Sequence, residues 1–203
     1  NDNLLIYTSM RNSHTRGIDP VKDEDIFFSR RENDTWQDAQ EFEHVNTKYN
    51  EGSACLSKDG KTLFFARCDA PDCYGDCDLF TAELQADSTW GKVRNLGEKI
   101  NTTSWDSHPS LTHTEDTLYF ASSRIGGYGL SDIYFTVKDE LGEWGTAQNA
   151  GPIINTRNNE VSPFYHHVFN VMYFSSNGHN LNFGEYDIYK SYWEDHAWGE
   201  PKN

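Results

Sequence analysis

The chain has 203 residues, enough to bury one sizeable core. Its 17 basic against 32 acidic residues give a formal net charge of −15, which excludes a nucleic-acid binder and disfavours docking on an anionic membrane. Aromatic residues make up 14%, too many for a disordered chain, and no apolar run reaches the ~18 residues of a membrane-spanning helix.

A period of about 54 residues runs through the sequence. Trp36, Trp90, Trp144 and Trp198 follow one another at intervals of 54. Asp25, Asp78, Asp132 and Asp187 each precede an apolar pair. Asn46, Asn101 and Asn155 each precede Thr, and Glu51, Asp106 and Glu160 stand five residues after those Asn. Four independent markers with one spacing leave little room for chance.

In chain order, the first unit opens at residues 5–11, which align with residues 118–124. That alignment starts the chain at the second strand of a unit and omits the first. The second unit carries a hairpin turn at Asp59-Gly60. The third reads in full: a strand over 109–112, a turn over 113–116, an aromatic-rich strand over 117–122, a glycine-rich loop over 124–129, a strand over 132–136 and an outer strand near 146–149. The fourth stops five residues after Trp198. No window supports a long amphipathic helix, because apolar residues cluster in short runs bounded by turn residues.

Four short antiparallel strands per repeat of this length predict an all-β β-propeller of about four four-stranded blades. The approximate blade bounds are 1–49, 50–105, 106–160 and 161–203. A lone blade cannot bury both faces, so blades pack side by side. With no initiator Met and no signal peptide, the chain reads as a mature or excised piece, part of a larger propeller. A closed four-bladed ring with a three-stranded first blade is the other reading.

The repeat also resembles a known family. Residues 116–135 (DTLYFASSRIGGYGLSDIYF) and 59–80 (DGKTLFFARCDAPDCYGDCDLF) resemble the periplasmic WD40-like repeat related to the TolB propeller. The linking phrase at residues 90–109, with NLGEKINTTSWDSHP, is similar to propellers of outer-membrane OmpA-family proteins of Bacteroidetes. Among these is the peptidoglycan-anchoring subunit of the type IX secretion system. The resemblance implies a periplasmic, outer-membrane-associated scaffold or binding module without catalysis.

Cys55, Cys68, Cys73 and Cys77 all fall in one blade. If Arg67 faces Asp78, Cys68 faces Cys77 across the hairpin, at a separation close to disulfide range. The expected pairs are Cys68–Cys77 and Cys55–Cys73, with a four-thiolate zinc site and free thiols as alternatives. Disulfides agree with an oxidising compartment. Asp25, Asp78, Asp132 and Asp187 read as structural carboxylates that accept backbone N–H groups from the preceding turn. Glu51, Asp106 and Glu160 each precede a channel-lining first strand; they read as caps of the Asn-Thr turn, with a channel-mouth cation or partner site as the sharper alternative. Asp69, Asp72, Asp76 and Asp78 crowd one loop that resembles a Ca²⁺ loop only loosely, and no cofactor is expected.

No convergent acid, base and nucleophile is visible, nor a G-x-S-x-G elbow, so the expectation is a non-enzymatic scaffold. Its acidic surface implies a protein partner of the cell envelope with a basic patch. The alternative is recognition of peptidoglycan or another polysaccharide. Trp105 and Trp193 stand outside the repeated Trp set and are the candidate glycan contacts.

Overall fold

The computed structural model describes residues 3–10, 13–16 and 19–203, and every regular element among them is a strand. The first blade contains β1 (Leu4–Ser9), a small hairpin of β2 (Ser13–Arg16) and β3 (Asp19–Lys22), then β4 (Asp25–Glu32), β5 (Thr35–Trp36) and β6 (Gln40–Glu41). The second has β7 (Asn50–Leu56), β8 (Thr62–Cys68), β9 (Cys77–Leu84) and β10 (Trp90–Asn95). The third has β11 (Asp106–Leu111), β12 (Thr117–Ser122), β13 (Asp132–Val137) and β14 (Gln148–Asn149). The fourth has β15 (Glu160–His166), β16 (Val171–Ser176), β17 (Asp187–Glu194) and β18 (Ala197–Trp198). Within blades two to four the strands pair antiparallel in sequence order, and the four sheets form a four-blade β-propeller. Ser9 faces Asp25 as Ser122 faces Asp132, so β1 is a second strand by register. Arg11, the last residue of the aligned string, lies outside the described residues.

The first strands β7, β11 and β15 each carry a bulge, and each bulge puts a non-glycine residue at positive φ: Ser53 at 50°, His108 at 55° and Ser162 at 53°. These bulges, with Pro109 and Pro163, surround a central cavity of about 260 Å³. Proline is tolerated there because the inner edge has no further ladder partner.

Period-2 alternation sends each strand's side chains to opposite blade faces, and every interface is built from both. Between the first and second blades lie Ile26, Val45, Leu63 and Phe65; between the second and third, Leu79, Ile100, Leu118 and Phe120; between the third and fourth, Ile133, Ile154, Met172 and Phe174. All are buried, each contributing roughly 1.5–3 kcal/mol of apolar transfer. The repeated tryptophans close the outer wedge: Trp90 packs on Phe42 at 5.5 Å, Trp144 on Phe64 at 6.1 Å and Trp198 on Tyr119 at 6.1 Å. Trp36 has no preceding blade among the described residues and is 47% exposed.

Cys68 and Cys77 face each other at the end of the β8–β9 hairpin and form a disulfide. This bond points to a non-cytoplasmic, secreted setting. No helix is long and apolar enough to cross a membrane among the described residues. The expected Cys55–Cys73 pair is corrected: both thiols are free. Cys55 packs into the interface with the third blade and Cys73 into the interface with the first, so the second blade's own sheet separates them. Burial pushes the Cys55 thiol up to about 12 and that of Cys73 to about 11.

Candidate functional site: an aromatic groove between the third and fourth blades

Three of the four repeated carboxylates, Asp78, Asp132 and Asp187, are tied to their own loops. Asp78 accepts the Tyr74 and Gly75 N–H groups at 2.7 and 3.3 Å and the Asn95 amide at 2.6 Å. Asp132 does the same with Tyr128, Gly129 and Asn149, at 2.5, 3.0 and 2.7 Å. Asp187 accepts the Phe183 N–H. Asp25 is buried at the start of β4. The glycine in this loop is required by space: a Cβ on Gly129 would collide with the Asn158 carbonyl of the next linker. Of the crowded acidic loop, Asp72 pairs with Arg67 at 3.1 Å.

Glu51, Asp106 and Glu160 are fully buried, and each accepts the N–H and hydroxyl of the Thr four residues earlier, at 2.7–2.8 Å. A second partner reaches each: Arg67 to Glu51 at 2.7 Å, Arg124 to Asp106 at 2.7 Å and the Ser176 hydroxyl to Glu160 at 2.6 Å. Burial pushes the Glu51 carboxyl above its ordinary range, against the pull of Thr47 and Arg67. A buried carboxylate with this many donors has little capacity left for a ligand.

The preceding asparagines do something the sequence reading missed. Asn101 accepts the Leu79 N–H at 2.9 Å and donates to the Leu79 carbonyl at 2.9 Å. Asn46 clamps Ile26 and Asn155 clamps Ile133 in the same way. Each linker is thus stitched to the third strand of the blade it leaves. The signal was present in the similar distance from each Asn back to the apolar residue after the repeated Asp, 20 residues in the first blade and 22 in the second and third.

The non-repeated residues converge elsewhere. Where β12 and β13 meet β15 and the β17–β18 hairpin, a groove of about 790 Å³ opens. Its walls are aromatic: Tyr119 stacks on Tyr165 at 6.0 Å, Trp198 stands edge-on to Tyr165 at 6.2 Å, and Trp193 packs on Trp198 at 5.0 Å. Trp193 faces Trp198 across the last hairpin and stays 39% exposed. The rim is polar. His113 and His167 stack at 3.9 Å with planes 8° apart. Desolvation and the neighbouring His113, His166 and Lys58 lower the His167 pKa, which favours the neutral ring that stacking needs. Asn170 accepts the Tyr165 hydroxyl at 3.2 Å. Asp116 accepts hydroxyls from Thr112, Thr114 and Thr117 at 3.1, 2.9 and 2.8 Å. Burial opposes its ionisation, but the three hydroxyls win and hold its carboxyl below the usual range.

Trp105 does not join this groove. It is half-buried on another part of the molecule, edge-on to His108 at 5.1 Å, in a shallow recess shared with Val161 and Tyr186. The two candidate glycan tryptophans are therefore not brought together. Tyr119, Tyr165 and Trp198, which build the groove with Trp193, were not singled out in sequence as binding residues, because nothing in a linear string says which blade ends meet.

No protein-family model matches the chain, and no curated protein matches it. Solved structures do. An α-L-arabinofuranosidase from Lactobacillus brevis superposes with a TM-score of 0.61 at 12% identity, covering 98% of this chain and 70% of that one. A xylan β-1,4-xylosidase from Bacillus halodurans C-125 gives 0.56 at 15% identity, covering 96% and 40%. A thermostable family-43 glycoside hydrolase gives 0.52 at 13%, covering 89% and 71%. At these identities the likeness establishes the propeller and no more. The expectation of a non-enzymatic scaffold without catalysis is corrected by this likeness to that extent: glycoside hydrolases share the propeller fold, fold alone does not decide function, and the absence of a recognisable catalytic string gave no ground for excluding an enzyme.

Proposed function

We propose that the chain is a carbohydrate-active propeller whose groove between the third and fourth blades recognises a glycan. The observation that carries this reading is the convergence of Tyr119, Tyr165, Trp193 and Trp198 with Asp116, Asn170 and the His113–His167 pair. The C–H face of a sugar ring stacks on flat aromatic surface, and its hydroxyls need fixed donors and acceptors; this groove supplies both. The glycosidase neighbours make arabino- and xylo-oligosaccharides the first ligands to test. Glycoside hydrolysis commonly uses two carboxylates. Asp116, kept ionised by its threonines, is the one in this groove. The disulfide is compatible with a periplasmic setting, where envelope glycans are at hand.

Calorimetric titration tests the reading. A ligand of this class should bind with a Kd on the order of 0.1–1 mM. Trp193→Ala should weaken it about tenfold without lowering the Tm, and Trp105→Ala should leave it unchanged. No binding to any arabinan, xylan or peptidoglycan fragment, or equal loss in Trp105→Ala, contradicts it. Release of reducing sugar that disappears in Asp116→Asn would add catalysis to the same groove.

A further inference from the structure

The same turn of three successive blades carries a basic residue. Lys58, His113 and His167 each stand seven residues after the buried carboxylates Glu51, Asp106 and Glu160, in the turns that follow β7, β11 and β15. Equivalent positions at the ends of innermost strands converge on the propeller axis. His113 and His167 stack at 3.9 Å, and Lys58 lies near enough to help lower the His167 pKa. His166 continues the column: its ring is 5.8 Å from that of His167 with planes 11° apart, and its Nδ1 is buried without a partner among the described residues. A cavity of about 720 Å³ lies against these groups, lined mainly by residues 54–60, 111–113 and 164–167. It shares Ile6 and Ala54 with the central cavity, so the basic turns ring one mouth of the axis.

Such a cluster runs against the net charge of −15. Elsewhere basic side chains are matched to carboxylates: Arg67 to Glu51 and Asp72, Arg124 to Asp106, Lys92 and Arg94 to Glu83. Among the described residues no ion pair involves Lys58, His113, His166 or His167. The acids of these turns are engaged within the turns. Asp59 accepts the Ser57 hydroxyl at 2.7 Å and the Lys61 N–H at 3.0 Å. Glu115 accepts the Lys58 backbone N–H, and Asp116 is held by its three threonines. An ammonium and several imidazoles therefore stand uncommitted around the cavity. His113 and His167 also line the aromatic groove, so groove and cavity meet at the imidazole pair.

We propose that this basic mouth binds the carboxylate of an acidic sugar, and that the ligand of the adjoining groove is a glycan carrying a uronic acid. The inference rests on the glycan reading and names the ligand class of that site. Lys58 supplies the counter-charge, and His113 and His167 donate N–H groups from the rim. The neutral sugar rings lie on Tyr165, Trp193 and Trp198. A free anion is not the ligand, because the negative chain repels it at long range; the aromatic groove holds the sugar and brings its carboxylate to the mouth.

The test is a calorimetric titration of the full 203-residue chain with two ligands, xylotriose and xylotriose bearing one glucuronic acid. The acidic ligand should bind about tenfold more tightly, and the gain should shrink in about 0.5 M NaCl. Lys58 is exposed in its turn, so Lys58→Ala should keep the Tm of the free chain. That variant should lose the gain while binding xylotriose as before, and Lys58→Arg should restore the gain. Equal affinity for the two ligands overturns this inference and leaves the glycan reading standing. So does a gain that survives both Lys58→Ala and high salt. Failure of both ligands to bind overturns the glycan reading and this inference with it.

Discussion

At the interface between the second and third blades, Leu79 lies beneath Ile100 and Leu118, with the Asn101 amide closing both its backbone groups. In the fourth blade the same repeat position is Ile188, equally apolar, and with no strand of another blade against it among the described residues it is 68% exposed. The side chains differ little; the neighbourhood differs completely. What buries a repeat position is the arrival of the next blade's first strand with its Asn hook. Apolar character alone does not do it.

The contrast can be broken from the filled side first. Arg124→Met leaves the buried Asp106 with its threonine donors but no counter-charge and strips the Ile100 carbonyl of a donor at 2.6 Å. A loss of about 3–5 kcal/mol is expected in denaturant unfolding. Leu79→Ala should cost about 2–5 kcal/mol, while Ile188→Ala at the equivalent exposed site should cost less than about 0.5 kcal/mol. Equal costs for the two would remove the distinction. Cys68→Ser with Cys77→Ser opens a loop with a sequence separation of 9 and should lower stability by about 2.5 kcal/mol, seen as a shift of the urea midpoint.

The smallest expected effect concerns pH. Burial lowers the His108 pKa below its ordinary 6.5, so the folded state prefers the neutral ring. Its stabilising share is fully present above 6.5 and is lost as pH falls through that value towards the lower folded one. His108→Asn, which tolerates the positive φ of this bulge, should flatten that acid-side decline in Tm.

The blades were legible in sequence because every blade solves one packing problem with one set of residues, so Trp, Asp and Asn recur at fixed distances. Cys68–Cys77 was legible because the pair faces across a single hairpin. Cys55 and Cys73 were not: the fate of Cys55 depends on which face of the sheet the strand turns outward after the Ser53 bulge, and the spacing of cysteines does not encode that. The groove was legible only in one residue, Trp193. Its partners Tyr119, Tyr165, His113 and His167 come from separate blades, and their convergence is set by how blades stack. The repeat made some of these residues look architectural, and Trp198 serves both ends.

The division between tryptophans that hold the propeller together and those that meet a ligand is open to direct observation. The indole N–H resonances of the six tryptophans can be followed as arabino- or xylo-oligosaccharide is added. The signals of Trp193 and Trp198 should move in a saturable way while those of Trp90 and Trp144 hold still. Movement confined to Trp105, or stillness in all six with every glycan tried, would contradict the assignment of the groove.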